Sequence, residues 1–230
     1  MLNIPPKLVA IPFQTDWILF EDDHLLIVNK PSGLLSVPGR TSPSDWNILA
    51  QVQTYAPNAM IVHRLDMDTS GLMVLARTPQ SHKALSRQFQ QRQTFKQYQA
   101  FCFGKPSQYQ GKVQLPMRCD WENRPRQIID FRQGKAATTF WQVIHTYPKA
   151  FEVLLTPITG RSHQLRLHMK MLGHPILGDN LYAPSQAYHA ANRLLLHAKT
   201  LHLTHPTTQK VLQFEHSLDL APFLNGMNSA

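Results

Sequence analysis

The stretch Ala59-Met60-Ile61-Val62-His63-Arg64-Leu65-Asp66-Met67-Asp68-Thr69-Ser70-Gly71-Leu72-Met73-Val74-Leu75-Ala76 sets a polar loop between two apolar runs. Each run is too short for a helix and reads as a buried strand. A carboxylate carried between two buried strands must be solvated, hydrogen-bonded or paired with a cation, because an isolated buried charge is costly. Asp66 is the candidate for that position. The ordinary alternative is an Asx turn in which Asp66 or Asp68 bonds Thr69, Ser70 and Gly71; for Asp68 that remains the reading.

The surroundings predict more sheet. Upstream, residues 18–20 and 24–29 read as short strands, and 30–43 as loop from Pro31, Gly33, Pro38, Gly39 and Pro43. Ser44 or Asp45 is expected to cap a helix to about Tyr55, with Trp46, Leu49 and Val52 on one face. Downstream, Thr78 with Pro79 starts a helix to about Gln91, directing Leu85 and Phe89 inward and Lys83, Arg87 and Arg92 outward. Strands follow at 95–103, 111–115, 126–132, 138–146 and 151–157. Ser162 is the expected cap of a buried helix through Leu172 that Gly173 ends. A short helix at 185–192 and strands at 194–204 and 210–214 complete the chain. The pattern is a mixed, mostly antiparallel α+β domain over 18–220, preceded by an extended arm (1–17) and followed by a tail (221–230).

At 230 residues with 43% hydrophobic and 16% charged, the chain has material for a sizeable core. No apolar stretch approaches the roughly 20 residues that span a bilayer, and the N-terminus lacks a signal-peptide core. Two cysteines are too few for a disulfide framework, so a reducing, cytoplasmic setting is expected. The net charge of +9 is uneven: residues 1–76 carry −3, 77–135 carry +9, and 136–230 carry +3. The basic middle has Phe95, Tyr98, Phe101, Tyr109, Trp121 and Phe131 interleaved, which suits a polyanion surface with stacking groups and equally a solvated basic face over core aromatics.

A second constellation is Thr159-Gly160-Arg161-Ser162-His163-Gln164-Leu165-Arg166-Leu167-His168. Arg166 lies on a largely apolar helix, so its guanidinium needs an anion; Asp66 is the expected partner. Gly160 and the helix start, beside Arg161, form an anion-compatible site. The histidines match no metal signature, and packing or surface roles are expected for them.

These two runs, together with Asn29-Lys30-Pro31-Ser32-Gly33-Leu34, Gly173-His174-Pro175-Ile176-Leu177-Gly178-Asp179 with Tyr182, and Leu195-Leu196-His197-Ala198, resemble the RluA family of RNA pseudouridine synthases. Pro38-Gly39-Arg40, Met67 and Cys119-Asp120-Trp121 with Asn123-Arg124-Pro125 are similar to its dual-specificity branch, which acts on large-subunit ribosomal RNA and on a tRNA anticodon stem-loop. Asp68 departs from that branch, where alanine is expected. The resemblance implies the pseudouridine synthase catalytic fold without an N-terminal S4 module, no cofactor and no metal, and RNA as partner rather than DNA or a membrane. It implies that Asp66 is the catalytic carboxylate, that Arg166 pairs with it, that Tyr98 stacks on the target uracil, that Leu196 packs against the base, and that Arg64 fills the space left by the flipped nucleotide. His63 and Arg161 fall in the same motifs as substrate-binding candidates. Two rivals stand beside it: a non-catalytic RNA-binding protein on the same fold, and a hydrolase using Ser70 or Ser162 with a histidine, which lacks a Gly-x-Ser-x-Gly elbow.

Overall fold

A computed structural model describes residues 11–39 and 46–218. Arg40, Ser44, Asp45, the outer part of the expected arm and the expected tail lie outside the described residues. Among the described residues, twelve strands and four α-helices follow one another: β1 (Ile18–Glu21), β2 (Leu25–Lys30), α1 (Ile48–Gln53), β3 (Met60–Ile61), β4 (Ser70–Ala76), α2 (Pro79–Gln90), β5 (Phe95–Phe103), β6 (Gln110–Gln114), β7 (Met117–Cys119), β8 (Gln127–Ile129), β9 (Thr138–Thr146), β10 (Ala150–Pro157), α3 (Gln164–Met171), α4 (Ser185–His189), β11 (Leu196–Thr204) and β12 (Val211–Glu215). The fold is α+β, as its sequence pattern implies.

Ten strands form one sheet in the order β1-β2-β4-β11-β5-β10-β9-β6, with β3 beside β4 and β12 beside β11. All pairings are antiparallel except β4 with β11, which meet at His197–Ser70 and Ala198–Gly71. That parallel step needs glycine: Gly71 has φ +110°, and a Cβ there would collide with the Ala198 backbone. β7 and β8 form a separate hairpin. β8 is shorter than the expected 126–132, and β7, three residues long, escaped the sequence reading because so short a run carries no periodicity.

Local chemistry explains the helices. Thr78 Oγ1 accepts the Ser81 N–H at 3.1 Å and Pro79 opens α2, as expected. α1 is capped by Asn47, whose Oδ1 accepts the Ala50 N–H at 2.9 Å. α3 corrects the sequence reading. Ser162 does not cap it; His163 occupies the cap position at φ +53° without a side-chain cap bond. Instead the Gln164 Oε1 accepts the Arg161 N–H at 3.0 Å and the Thr159 hydroxyl at 2.7 Å. One backbone donor of the expected anion site is therefore already used. Residues 164–169 are buried, whereas Met171 and Leu172, expected inside, are 49% and 36% exposed beyond the last covered turn.

The inner end of the expected arm is packed: Trp17 is buried, with Ile11 and Phe13 against the same core. That core also holds Leu26, Val28, Ile48, Val52, Leu65, Met73 and Ala198. A second one gathers Ala100, Phe151, Val153, Leu155, Leu165, Met169 and Leu196. Tyr98, on the central strand β5, packs against both. Leu65 anchors the residue before Asp66 in the first core and Leu165 the residue before Arg166 in the second. The polar side chains thus emerge at the seam between the two.

Candidate active site

A cleft of about 680 Å³ opens at this seam, within the 300–1,000 Å³ typical of small-ligand sites. His63, Arg64, Asp66, Tyr98, Arg161, Arg166 and Leu196 all line it. The structure therefore brings together every site residue selected from the sequence, from four separate stretches of chain.

Asp66 sits in the β3–β4 loop, and the loop after β2 holds that backbone in place. Ser36 grips Leu65 on both sides, its Oγ donating to the Leu65 carbonyl at 2.7 Å and accepting the Leu65 N–H at 3.1 Å. The Met67 carbonyl accepts from the Gly33 N–H at 2.9 Å and from Lys30 Nζ at 2.9 Å. Ser32 Oγ donates to the Asp68 carbonyl at 2.7 Å. Lys30 is wholly buried and also donates to the carbonyls of Pro31 and Leu34, at 2.8 and 2.6 Å. Burial pulls its ammonium down to about 7, against the opposing charges of Asp68 and Asp66. Among the described residues the Asp66 carboxylate accepts no hydrogen bond and forms no ion pair within 4.0 Å, and neither does Asp68; the Asx-turn readings are not realised. The turn closes instead through the backbone, with the Thr69 N–H donating to the Asp66 carbonyl at 3.1 Å.

The expected Asp66–Arg166 pair is also corrected. Arg166 is 2% exposed and takes Asp179, 0% exposed, as its bidentate partner: Nε to Oδ2 at 2.9 Å and Nη2 to Oδ1 at 2.6 Å. Nη2 also donates to Asn180 Oδ1 at 2.9 Å. Burial draws the guanidinium's pKa down, but Asp179, helped by the charges of Asp68 and Asp66, more than offsets this. The pair is geometrically preferred because Asp179 is held by its own turn, accepting the N–H groups of Leu181 at 2.9 Å and Tyr182 at 3.0 Å. A fixed carboxylate facing a fixed fork meets the geometry a bidentate bond demands. Asp66 then acts on Arg166 only through space.

Tyr98 pairs with Leu155 and Ala198 across the sheet and presents its ring to the cleft. Burial, reinforced by the Asp66 charge, pushes its phenol well up, so it is a neutral ring rather than a resident phenolate. Leu196, at the start of β11, is buried beside it. Arg64 is exposed at the rim. His63 stacks on Phe89 at 4.3 Å and 13°, its Nε2 accepts the Val74 N–H at 3.1 Å, and burial drives it down to about 3. It is a neutral wall of the cleft. Arg161 is exposed, with Nε 3.4 Å from the Ala136 carbonyl.

The hydrolase rival finds no support in this geometry. Ser70 Oγ lies 2.8 Å from His197 Nδ1, but both are buried and neither lines the cleft. His197 Nε2 faces His216 rather than a carboxylate, and burial pushes its ring down to about 3. Ser162 lines the cleft, yet the neighbouring His163 Nδ1 is engaged with the Tyr182 hydroxyl at 2.9 Å.

Sequence reasoning missed the working parts that hold these groups: Asp179, Lys30, Ser36 and Gln164. Asp179 was traceable. Only four acidic residues lie beyond residue 135, and Asp179 follows Gly178 in a tight turn 13 residues from Arg166.

An unpartnered carboxylate, an aromatic ring and arginines thus line one cleft large enough for a nucleotide. The model of the RNA pseudouridylate synthase family matches residues 24–171. The dual-specificity RNA pseudouridine synthase RluA of Escherichia coli (strain K12) is 48% identical over 211 residues, 90% of this chain and 96% of that protein. That of Pasteurella multocida is 50% identical over 198 residues, 86% of this chain and 90% of that protein. The solved human RNA pseudouridylate synthase domain containing 1 superposes with a TM-score of 0.76 at 27% identity, covering 89% of this chain and 84% of its own; domain containing 4 gives 0.73 at 28%, covering 92% of both. The chain belongs to the RNA pseudouridylate synthase family and is an RNA pseudouridine synthase.

Proposed function

We propose that this enzyme isomerises uridines in stem-loops of large-subunit ribosomal RNA, of a tRNA anticodon arm, or of both, the substrates implied by its resemblance to the dual-specificity branch; its bacterial relatives are named dual-specificity RNA pseudouridine synthases. The observation that carries the reading is the unpartnered Asp66 carboxylate in a cleft flanked by Tyr98 and Arg166. The reaction breaks the N1–C1′ bond, turns the uracil, and joins C5 to C1′; the proton lost from C5 is balanced by the one gained at N1. Cleavage develops oxocarbenium-like charge on the ribose, which a nearby carboxylate stabilises or captures. Abstraction of the ribose 2′ proton to give a glycal is the alternative use of the same carboxylate.

Because Arg166 is taken up by Asp179, the Asp66 carboxylate is left open toward the sugar. Tyr98 stacks on the extruded uracil and Leu196 packs its other side. A uridine within a stem-loop must leave the stack at a cost of a few kcal/mol, and Arg64 at the rim occupies the vacated place. Arg161 and the His63 wall complete the substrate contacts. Residues 18–220 act as one catalytic domain, in the cytoplasm, and among the described residues no helix is long and apolar enough to cross a membrane.

Mapping pseudouridine in total RNA from cells with and without the gene tests the targets, and purified enzyme on synthetic stem-loops tests the chemistry. Asp66→Asn is expected to bind RNA normally and form no pseudouridine. Turnover retained by that variant would remove Asp66 from its role.

A further inference from the structure

The β7–β8 hairpin is a cleft wall outside the two main cores, rooted in a smaller cluster of Met117, Ala137, Leu167 and Tyr182. Its strands pair from Met117–Ile129 to Cys119–Gln127, and its tip closes through Asp120 N–H to the Arg126 carbonyl at 3.0 Å and Asn123 Nδ2 to Asp120 Oδ2 at 3.0 Å. Arg118 pairs with Asp130 across its base. Met117 and Ile129 at its base pack with Leu167 and Tyr182, and nearer the tip the Gln127 N–H donates to the Tyr182 hydroxyl at 2.7 Å, the same hydroxyl that meets His163. Cys119, Arg124, Pro125 and Gln127 line the cleft from this side.

At the tip, Trp121 is 66% exposed, and the Arg124 guanidinium lies 3.6 Å from its ring centre. With most of its surface open to solvent, this indole contributes little to the core. Arg124 touches both Trp121 and the cleft, which places the ring next to the opening through which a nucleoside enters. An aromatic face backed by a guanidinium is suited to stack a base of any identity, the mode by which unpaired nucleotides are held. The place of Arg124 in the cleft lining favours a base of the same RNA over a separate protein partner at this ring.

We propose that Trp121 and Arg124 form a stacking subsite for an unpaired base of the substrate loop, close to the flipped uridine. This rests on the RNA-modifying function proposed above and adds a substrate-binding subsite to it.

Kinetics of Trp121→Ala and Trp121→Phe on a synthetic stem-loop, and on copies made abasic at one loop position at a time, test it. Trp121→Ala is expected to lower kcat/KM through KM by roughly 5- to 150-fold, the range of one lost base stack. Trp121→Phe recovers most of that, and the Trp121→Ala penalty disappears for the RNA abasic at the stacked position. RNA quenches tryptophan fluorescence in the wild type and much less in Trp121→Phe. A Trp121→Ala variant within about twofold of wild type, or a penalty equal on every abasic RNA, overturns the subsite. A wild-type chain that makes no pseudouridine in any stem-loop overturns the proposed function as well, whereas wild-type turnover matched by Trp121→Ala overturns the subsite alone.

Discussion

Replacing Asp179 by asparagine is the sharpest test of where the Arg166 charge is balanced. The two side chains are 2% and 0% exposed and share two charge-assisted bonds, at 2.9 and 2.6 Å, so solvent screens neither. The amide keeps one acceptor for the Leu181 and Tyr182 N–H groups but removes the charge and turns a donor toward the guanidinium. Leaving a buried cation without its partner costs about 3–5 kcal/mol. At about 2–4 °C per kcal/mol for a domain of this size, the melting temperature falls by roughly 6–20 °C. Asp66→Asn removes no bond within the folded chain and is expected to cost less than about 1 kcal/mol, shifting melting by under about 4 °C. Calorimetry of the two variants at neutral pH reads both, and adding Arg166→Met to Asp179→Asn should restore part of the loss by removing the stranded charge. If Asp66→Asn melts far lower while Asp179→Asn melts like wild type, Asp66 is the true partner and the reasoning fails.

Stability should rise with pH from about 4 to 8. His63 and His197 are held down to about 3, so the unfolded chain takes up protons first as pH falls below 6.5, and folding weakens. Lys30, held down to about 7 against 10.5 when unfolded, adds stability as pH climbs through that interval. From about 9 the rise levels off, and above about 10.5, where the Lys30 gain is complete, the trend reverses, because Cys102 and Tyr98 are pushed up and ionise first in the unfolded chain. Denaturant titrations across pH check this, and a maximum near pH 5 would contradict it. Lys30→Met strands the carbonyls of Pro31, Leu34 and Met67 and loosens the Asp66 loop. We expect a loss of about 2–4 kcal/mol and a lower kcat, and an unchanged kcat would show that the loop is held without it. Affinity for stem-loop RNA should fall steeply with salt, with a log–log slope of about −3 or steeper for several phosphate contacts, measured by filter binding between 50 and 200 mM; a flat response would mean that the basic stretch does not meet the backbone.

Residues 59–76 determined much of this protein by themselves: alternation and aliphatic runs encode strands locally, and Thr78-Pro79 encodes a helix start without help from distant residues. The site residues were legible because they sit in short contiguous runs of chemically demanding side chains, His63 to Gly71 and Gly160 to His168. Their partners were not. Arg166 announced that it needed an anion, but the choice between Asp66 and Asp179 depended on which carboxylate a turn had already fixed in bidentate register. Ser162 is a good cap by composition, yet the left-handed His163 and the inward Gln164 amide took its place once Thr159 and Thr139 lay within reach. Lys30 opens a stretch that reads as loop, and only residues 31–34 and Met67 folding around its ammonium make it a buried clamp. Local sequence decides which groups are present and which backbone shape each prefers; the pairing of charges across tens of residues is decided by packing, because only the folded cores bring those groups within bonding distance.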